Sequence, residues 1–204
     1  QGYLPEALIN YIALLGWNPK DDREFFTINQ LIKEFDILKV NKAGAVFDYQ
    51  KLDYFNNHYI RQISDKDLAK LLKTKESTSN IIKGRMTKLS EFDQLVQYQK
   101  QNKYAAKDLI FKKSTKEKTL KALRATRYTL QEAKVSKWQS VDKLNQLLLD
   151  VVKENNLSNG DVFWPVRFAI SGLEKSPSPA EMLWDLGQKE SLKRIAKAIK
   201  LLEK

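Results

Sequence analysis

The sequence predicts an all-α protein, and three observations carry the prediction. Apolar residues recur three and four apart in segment after segment, and few stretches alternate with period two. Residues that cap helices stand just ahead of these segments, at Thr27, Asp48, Ser64, Ser114 and Ser178. Proline and glycine fall mostly at segment ends, as at Pro5, Gly16, Gly172 and Gly187.

Taken in order, P-E-A-L-I-N-Y-I-A-L-L-G opens at Pro5, whose fixed φ suits a first turn, and Gly16 offers a left-handed stop. Leu4, Leu8, Ile9, Ile12 and Leu15 are expected on one buried face. W-N-P-K-D-D, residues 17–22, reads as a loop. T-I-N-Q, Thr27 to Gln30, has capping-box spacing and starts a short helix through Leu31, Ile32 and Phe35. Asn41 to Ala45 is a break. Asp48 then caps a helix over 49–61 with Leu52, Phe55 and Tyr59 on one face. Ser64 restarts the chain ahead of Leu68, Leu71 and Leu72, and residues 73–80, K-T-K-E-S-T-S-N, read as polar linker. Short helices are expected over 81–89 and 92–98. S-T-K-E at 114–117 repeats the capping-box spacing and opens a long helix with Leu120, Leu123, Tyr128 and Leu130. Residues 141–153 carry a helical stripe, and 158–171 is apolar, interrupted by Pro165 and ended by Gly172. Ser178-Pro179 and Gly187 bound the next helix, and 190–203 form the last, with Leu192, Ile195, Ile199 and Leu202 inside. Boundaries near 64 and 134 divide the chain into regions 1–64, 65–134 and 135–204.

Composition narrows the function. A hydrophobic fraction of 42% suffices for a packed core, and the 204 residues fit one large domain or two to three small ones. No run of 18 apolar residues exists, so no membrane partner is expected. The absence of cysteine excludes disulfides, thiolate catalysis and cysteine zinc sites, and suits a reducing compartment. The chain starts at Gln1 with no signal-like segment, which suggests a piece of something longer. Net charge is +11 and unevenly placed: residues 1–64 sum to −1, 65–134 to +10 and 135–204 to +2. Such a basic stretch attracts polyanions, although a lysine-rich solvated surface would look the same.

Enzyme signatures are nearly absent. One histidine cannot build a multi-histidine metal site, and no H-E-x-x-H, G-x-S-x-G or Gly-rich phosphate loop is present, so no cofactor is expected in this chain. Asp21, Asp22 and Glu24 read as a solvated turn. His58, among Phe47, Tyr49, Tyr54, Phe55 and Tyr59, sits near a helix C-terminus with no catalytic partner in sight, and a structural role is expected. The basic residues are more informative. Lys83, Arg85 and Lys88 stand among apolar residues, and Lys112, Lys113, Lys116, Lys118, Lys121, Arg124 and Arg127 crowd one short span. Arg167 lies in the apolar run F-W-P-V-R-F-A-I-S-G, where the bland alternative is a packing arginine paired with Asp161 or Glu174. The residues by themselves point to a basic helical protein that binds RNA or another polyanion.

Several of these stretches carry a resemblance. G-Y-L-P-E-A-L-I-N-Y-I-A-L-L-G-W, V-F-D-Y-Q-K-L-D-Y-F-N-N-H-Y-I-R, P-V-R-F-A-I-S-G and L-G-Q-K-E-S-L-K-R-I occur in the order found in the C-terminal half of bacterial-type glutamyl-tRNA synthetases, and the chain resembles that family over nearly its whole length. The resemblance implies a helical stem-contact region at 1–64 and a two-part helical anticodon-binding cage, 65–134 and 135–204. It implies tRNA-Glu as partner, with neither DNA nor membrane, and a cytoplasmic location. The family's enzyme joins glutamate to tRNA-Glu with ATP and Mg²⁺. Its Rossmann catalytic domain, with the HIGH-like and lysine-rich motifs, is missing here, so this chain is expected to be inactive by itself. Arg85 matches a position that helps read the third anticodon base, and Arg167 one that contacts the first. Lys83, Lys88, Lys112, Lys113, Lys116, Arg124 and Arg127 are expected on the RNA backbone. Between Leu72 and Ile81 the chain is shorter than the family, by about a helix. The alternative is a stand-alone helical RNA-binding module that never had a catalytic domain.

Overall fold

The computed structural model describes residues 1–19, 21–41, 44–100 and 102–204. The expected breaks at 17–22 and 41–45 include Lys20, Lys42 and Ala43, which lie outside the described residues. The all-α prediction holds: among the described residues the only β pairing is one antiparallel bridge, Trp17 to Val40. The chain forms two compact units, Gln1–Leu95 and Val96–Lys204.

In the first unit, α1 (Pro5–Gly16) starts as expected, with proline in its first turn. Its end differs. Gly16 is not left-handed; the chain leaves straight through Trp17, which is buried and bridged to Val40, and Asn41 N–H bonds the Gly16 carbonyl at 2.7 Å. The buried face differs too. Leu4, Ala7, Asn10 and Tyr11 point inward, whereas Ile9 and Ile12 are exposed. The reason is polar. The Asn10 amide accepts from Phe26 N–H (2.9 Å) and the Tyr59 hydroxyl (2.5 Å) and donates to the Glu24 carbonyl (3.0 Å), so a fully buried Asn is satisfied there.

Thr27 and Gln30 form the expected capping box of α2 (Ile28–Glu34), but only Leu31 is buried; Ile32 is 75% exposed. Asp48 caps α3 (Tyr49–Gln62) by accepting from Gln50 and Lys51 N–H. Leu52 and Phe55 are buried and Tyr59 half-buried. Asn56 is a second buried amide. It accepts from Leu4 N–H at 2.8 Å and donates to the Gly2 (3.3 Å) and Thr87 (2.5 Å) carbonyls, tying both neighbouring segments to α3.

Ser64 caps α4 (Asp65–Leu72). The expected linker at 73–80 is mostly helix instead. Lys73 turns left-handed, Thr74 N–H bonds back to Ala69, and α5 (Glu76–Lys83) packs on α4 with Thr78 and Ser79 buried. Small hydroxyl side chains permit that close approach, and their polarity hides the helix from a hydropathy reading. The helix ends at Lys83, short of the expected 89, and α6 (Phe92–Leu95) is a single turn. The line at 64 is not an edge of this unit. Lys83 Nζ donates to the Ile63 carbonyl at 3.1 Å, and Asn57 to the Met86 carbonyl at 2.6 Å.

In the second unit, α7 (Lys116–Glu132), α8 (Val141–Glu154), α9 (Asn159–Ser171) and α10 (Pro179–Glu203) enclose one core that includes Leu123, Leu130, Leu144, Leu148, Val166 and Ile195. Each such side chain contributes roughly 1.5–3 kcal/mol of burial. Thr115, not Ser114, caps α7. Ser158 and Ser178 form capping boxes with Asp161 and Glu181. α9 runs through Pro165 without a break and ends at left-handed Gly172. Gly187 (φ 75°, ψ 172°) kinks α10 between two helical halves. Residue 134 lies within this unit: Gln188 Nε2 donates to the Leu130 carbonyl at 3.0 Å. Arg194, to which apolar periodicity assigns no role, is buried; Nη1 donates to the Tyr98 and Ile170 carbonyls at 2.8 and 2.5 Å, and Nη2 to that of Gln99 at 2.6 Å.

Candidate nucleic-acid interface

The charge asymmetry persists between the two units. Residues 96–204 carry 22 basic and 12 acidic side chains, or +10, which leaves +1 for residues 1–95. The first unit is nearly neutral and the second is a polyanion attractor.

The three basic residues at 83–88 follow from the end of α5. Lys83 Nζ sits 2.5 Å from Asp65, whose carboxyl is held below the usual range first by the Asn80 hydrogen bond and then by Lys83. Lys88 Nζ lies 3.0 Å from Asp53 and over the Tyr3 ring, and the bond to Asp53 is the main reason its pKa is raised. Both lysines are therefore engaged by carboxylates. Arg85 is exposed one residue beyond Gly84; its Nη1 donates to the Ile81 carbonyl in the last turn of α5.

In the second unit, Lys112 and Lys113 are exposed in the turn before α7, and Lys116 is exposed in its first turn. Along α7, Thr119, Ala122, Leu123, Thr126 and Leu130 face the core, so Arg124, Arg127 and Tyr128 face outward. Tyr128 was expected among the apolar positions and is 70% exposed. Arg124 pairs with Glu203 at 2.8 Å. These residues line a depression of about 450 Å³ between α7 and the C-terminal half of α10.

Arg167 is half-buried on α9 and holds the loop that leads to α10. Its Nη1 donates to the Ser176 carbonyl (2.7 Å), the Ser176 hydroxyl (2.9 Å) and the Pro177 carbonyl (2.9 Å). Its partners are thus carbonyl and hydroxyl oxygens rather than the carboxylate of Asp161 or Glu174; Asp161 caps its own helix at Ser158. Burial lowers the Arg167 pKa below the ordinary value, and Glu181 partly offsets that. All three bonds use Nη1. Nε and Nη2 have no partner among the described residues, so part of a desolvated fork is left over.

His58 lies elsewhere in chemistry. It stacks on Phe25 with ring centroids 3.5 Å apart, and burial lowers its pKa. Asp21 and Glu24 pair with Arg23 and Lys51, and no group of acidic or histidine side chains able to hold a metal occurs among the described residues. No described helix is long and apolar enough to cross a membrane.

A family model described as anticodon binding domain matches residues 30–199. The chain belongs to the anticodon-binding domain family. The model of the catalytic domain of class I tRNA synthetases (E and Q) also matches, over residues 1–54. Among curated relatives, the glutamate–tRNA ligase of Clostridium novyi is 36% identical over 225 aligned positions, which take in 100% of this chain and 45% of that protein. The glutamate–tRNA ligase of Borrelia recurrentis is 36% identical, covering 100% of this chain and 44% of its own length. A crystal structure of a glutamate tRNA ligase from Elizabethkingia meningosepticum, in complex with its amino acid, superimposes with a TM-score of 0.82 at 27% identity, over 98% of this chain and 42% of that one. The resemblance to glutamyl-tRNA synthetases is borne out. The chain spans under half the length of the relatives it matches.

Proposed function

We propose that the chain is the tRNA-Glu-recognising portion of a glutamate–tRNA ligase acting in the cytoplasm. The observation that carries the reading is the anticodon-binding family match over residues 30–199. The concentration of +10 on residues 96–204 supports it, because phosphate contacts dominate affinity for RNA. Arg167 is the foremost candidate for reading a base. Its unused Nε and Nη2 donors can form a bidentate pair with an unstacked base edge, while Nη1 holds the Gly172–Ser178 loop in place. Arg85 is the second candidate, with its guanidinium at an exposed helix end. Lys112, Lys113, Lys116, Arg124 and Arg127 would contact phosphates. Lys83 and Lys88 would do so only by sharing their carboxylate partners.

The whole enzyme would join glutamate to the tRNA with ATP and Mg²⁺ bound in a Rossmann domain outside these residues. The first unit carries support for that partner. Ile9, Ile12, Leu31, Ile32, Phe35 and Ile37 line an open apolar groove of about 510 Å³ inside the stretch that matches the catalytic-domain family. Exposed apolar surface of this kind marks an interaction face. Its proposed occupant is the remainder of that catalytic domain, and residues 1–64 would lean on the tRNA stem.

The test is a binding titration with a tRNA-Glu transcript and the same transcript carrying a replaced anticodon, at two salt concentrations. Tighter binding of the native anticodon is expected, and Arg167→Ala should remove about 1–3 kcal/mol of that preference. Equal binding of both transcripts, with and without the substitution, would remove base reading from the proposal. ATP–pyrophosphate exchange by the 204-residue chain is expected to be undetectable.

A further inference from the structure

A second basic surface lies on α10, and no family motif or sequence pattern points to it. Lys197 and Lys200 on the last turns of α10 and Lys204 just past its end recur at spacings of three and four, all exposed. The fold brings Lys103 beside them, 94 residues away in sequence from Lys197. Together with Asn102 and Tyr104 these residues line a depression of about 470 Å³ without an acidic side chain in its wall. None of the four lysines has an ion-pair partner among the described residues, whereas Lys193, one turn back, is paired with Glu190. Lys200 also lines the neighbouring depression with Arg127 and Tyr128, whose wall holds the Arg124–Glu203 pair, so the two depressions adjoin at Lys200.

Helix-dipole complementarity explains a cation or two in the last turn of α10. It does not explain Lys103, which is on another segment and exposed beside them. Exposed ammonium groups that face no acidic side chain are suited to phosphate oxygens, which accept from them.

We propose that Lys103, Lys197, Lys200 and Lys204 form a site for RNA backbone phosphates that carries affinity but no base preference. This rests on the tRNA-binding reading and extends it to residues outside α7 and the Arg167 loop. The site gives the second unit a non-specific grip on RNA, separate from base readout at Arg167.

The test compares the full chain with Lys103→Gln/Lys197→Gln/Lys200→Gln. A control, Lys66→Gln/Lys73→Gln/Lys134→Gln, loses the same charge elsewhere. The probe is the tRNA-Glu transcript with native or replaced anticodon, titrated across 50–200 mM salt. Each lost phosphate contact flattens the log–log salt slope by roughly 0.7–0.9. The site variant is therefore expected to be shallower by roughly two to three, with binding weakened equally for both anticodons. The control should keep the unsubstituted slope. Unchanged slope and affinity in the site variant would overturn the assignment. So would an equal loss in the control, which would make the effect one of net charge. Failure of the unsubstituted chain to bind either transcript would instead overturn the tRNA reading, and this site with it.

Discussion

At the residue scale, the side chains that organise this protein are mostly polar and buried. Asn10 satisfies backbone groups of the 24–26 segment and the Tyr59 hydroxyl, and Asn56 satisfies backbone groups of two segments. Nothing in their local sequence distinguishes them from surface asparagines, because their partners lie between 14 and 54 residues away. Arg194 plays the same part in the second unit. Three carbonyls and Glu190 surround a guanidinium that is only 3% exposed. Replacing it by methionine keeps the apolar stem but orphans those carbonyls. Arg194→Met is expected to cost roughly 3–5 kcal/mol, read as a drop in the urea midpoint at unchanged slope. A loss under about 1 kcal/mol would mean that water replaces the guanidinium. Arg167 could be singled out from sequence as an arginine in an apolar run. The division of its donors, one nitrogen on the loop and two unspent, could not.

At the element scale, most starts were legible and several ends and faces were not. Thr27, Asp48, Ser64 and Ser178 cap helices as expected, since the capping bond spans only two or three residues, whereas Thr115 takes the place expected of Ser114 and Ser158 caps α9 unforeseen. α5 escaped notice because helix propensity of E-S-T-S-N is modest and its burial depends on α4. Gly187 was read as a stop and serves as a kink. Its φ of 75° with ψ of 172° is a region that other residues enter only under strain, and no atom stands within 4 Å of a Cβ placed there. Gly187→Ala therefore tests backbone strain without a steric clash. The expected loss is about 1–3 kcal/mol in thermal or urea unfolding, and an unchanged stability would show that α10 straightens without penalty.

At the scale of the whole molecule, the unit with the larger core also carries most of the net charge. Residues 96–204 own the large hydrophobic cluster and +10 of the net charge, whereas residues 1–95 hold smaller clusters and +1. Residues 96–204 made as a separate polypeptide are expected to unfold in one cooperative urea transition and to retain salt-sensitive binding of tRNA. A broad, non-cooperative transition would argue against an autonomous core. The amino-acid sequence by itself determined the helical class, most caps, the basic character and the family motifs. Each of these is written within a few neighbouring residues or summed over the chain. Only the tertiary structure decided that Asn10 rather than Ile9 faces inward, that the edge of compactness falls at 95 rather than 64 or 134, and that Lys103 joins the lysines of α10. Those outcomes depend on which distant segments meet, and local periodicity holds no record of the chain's path between them.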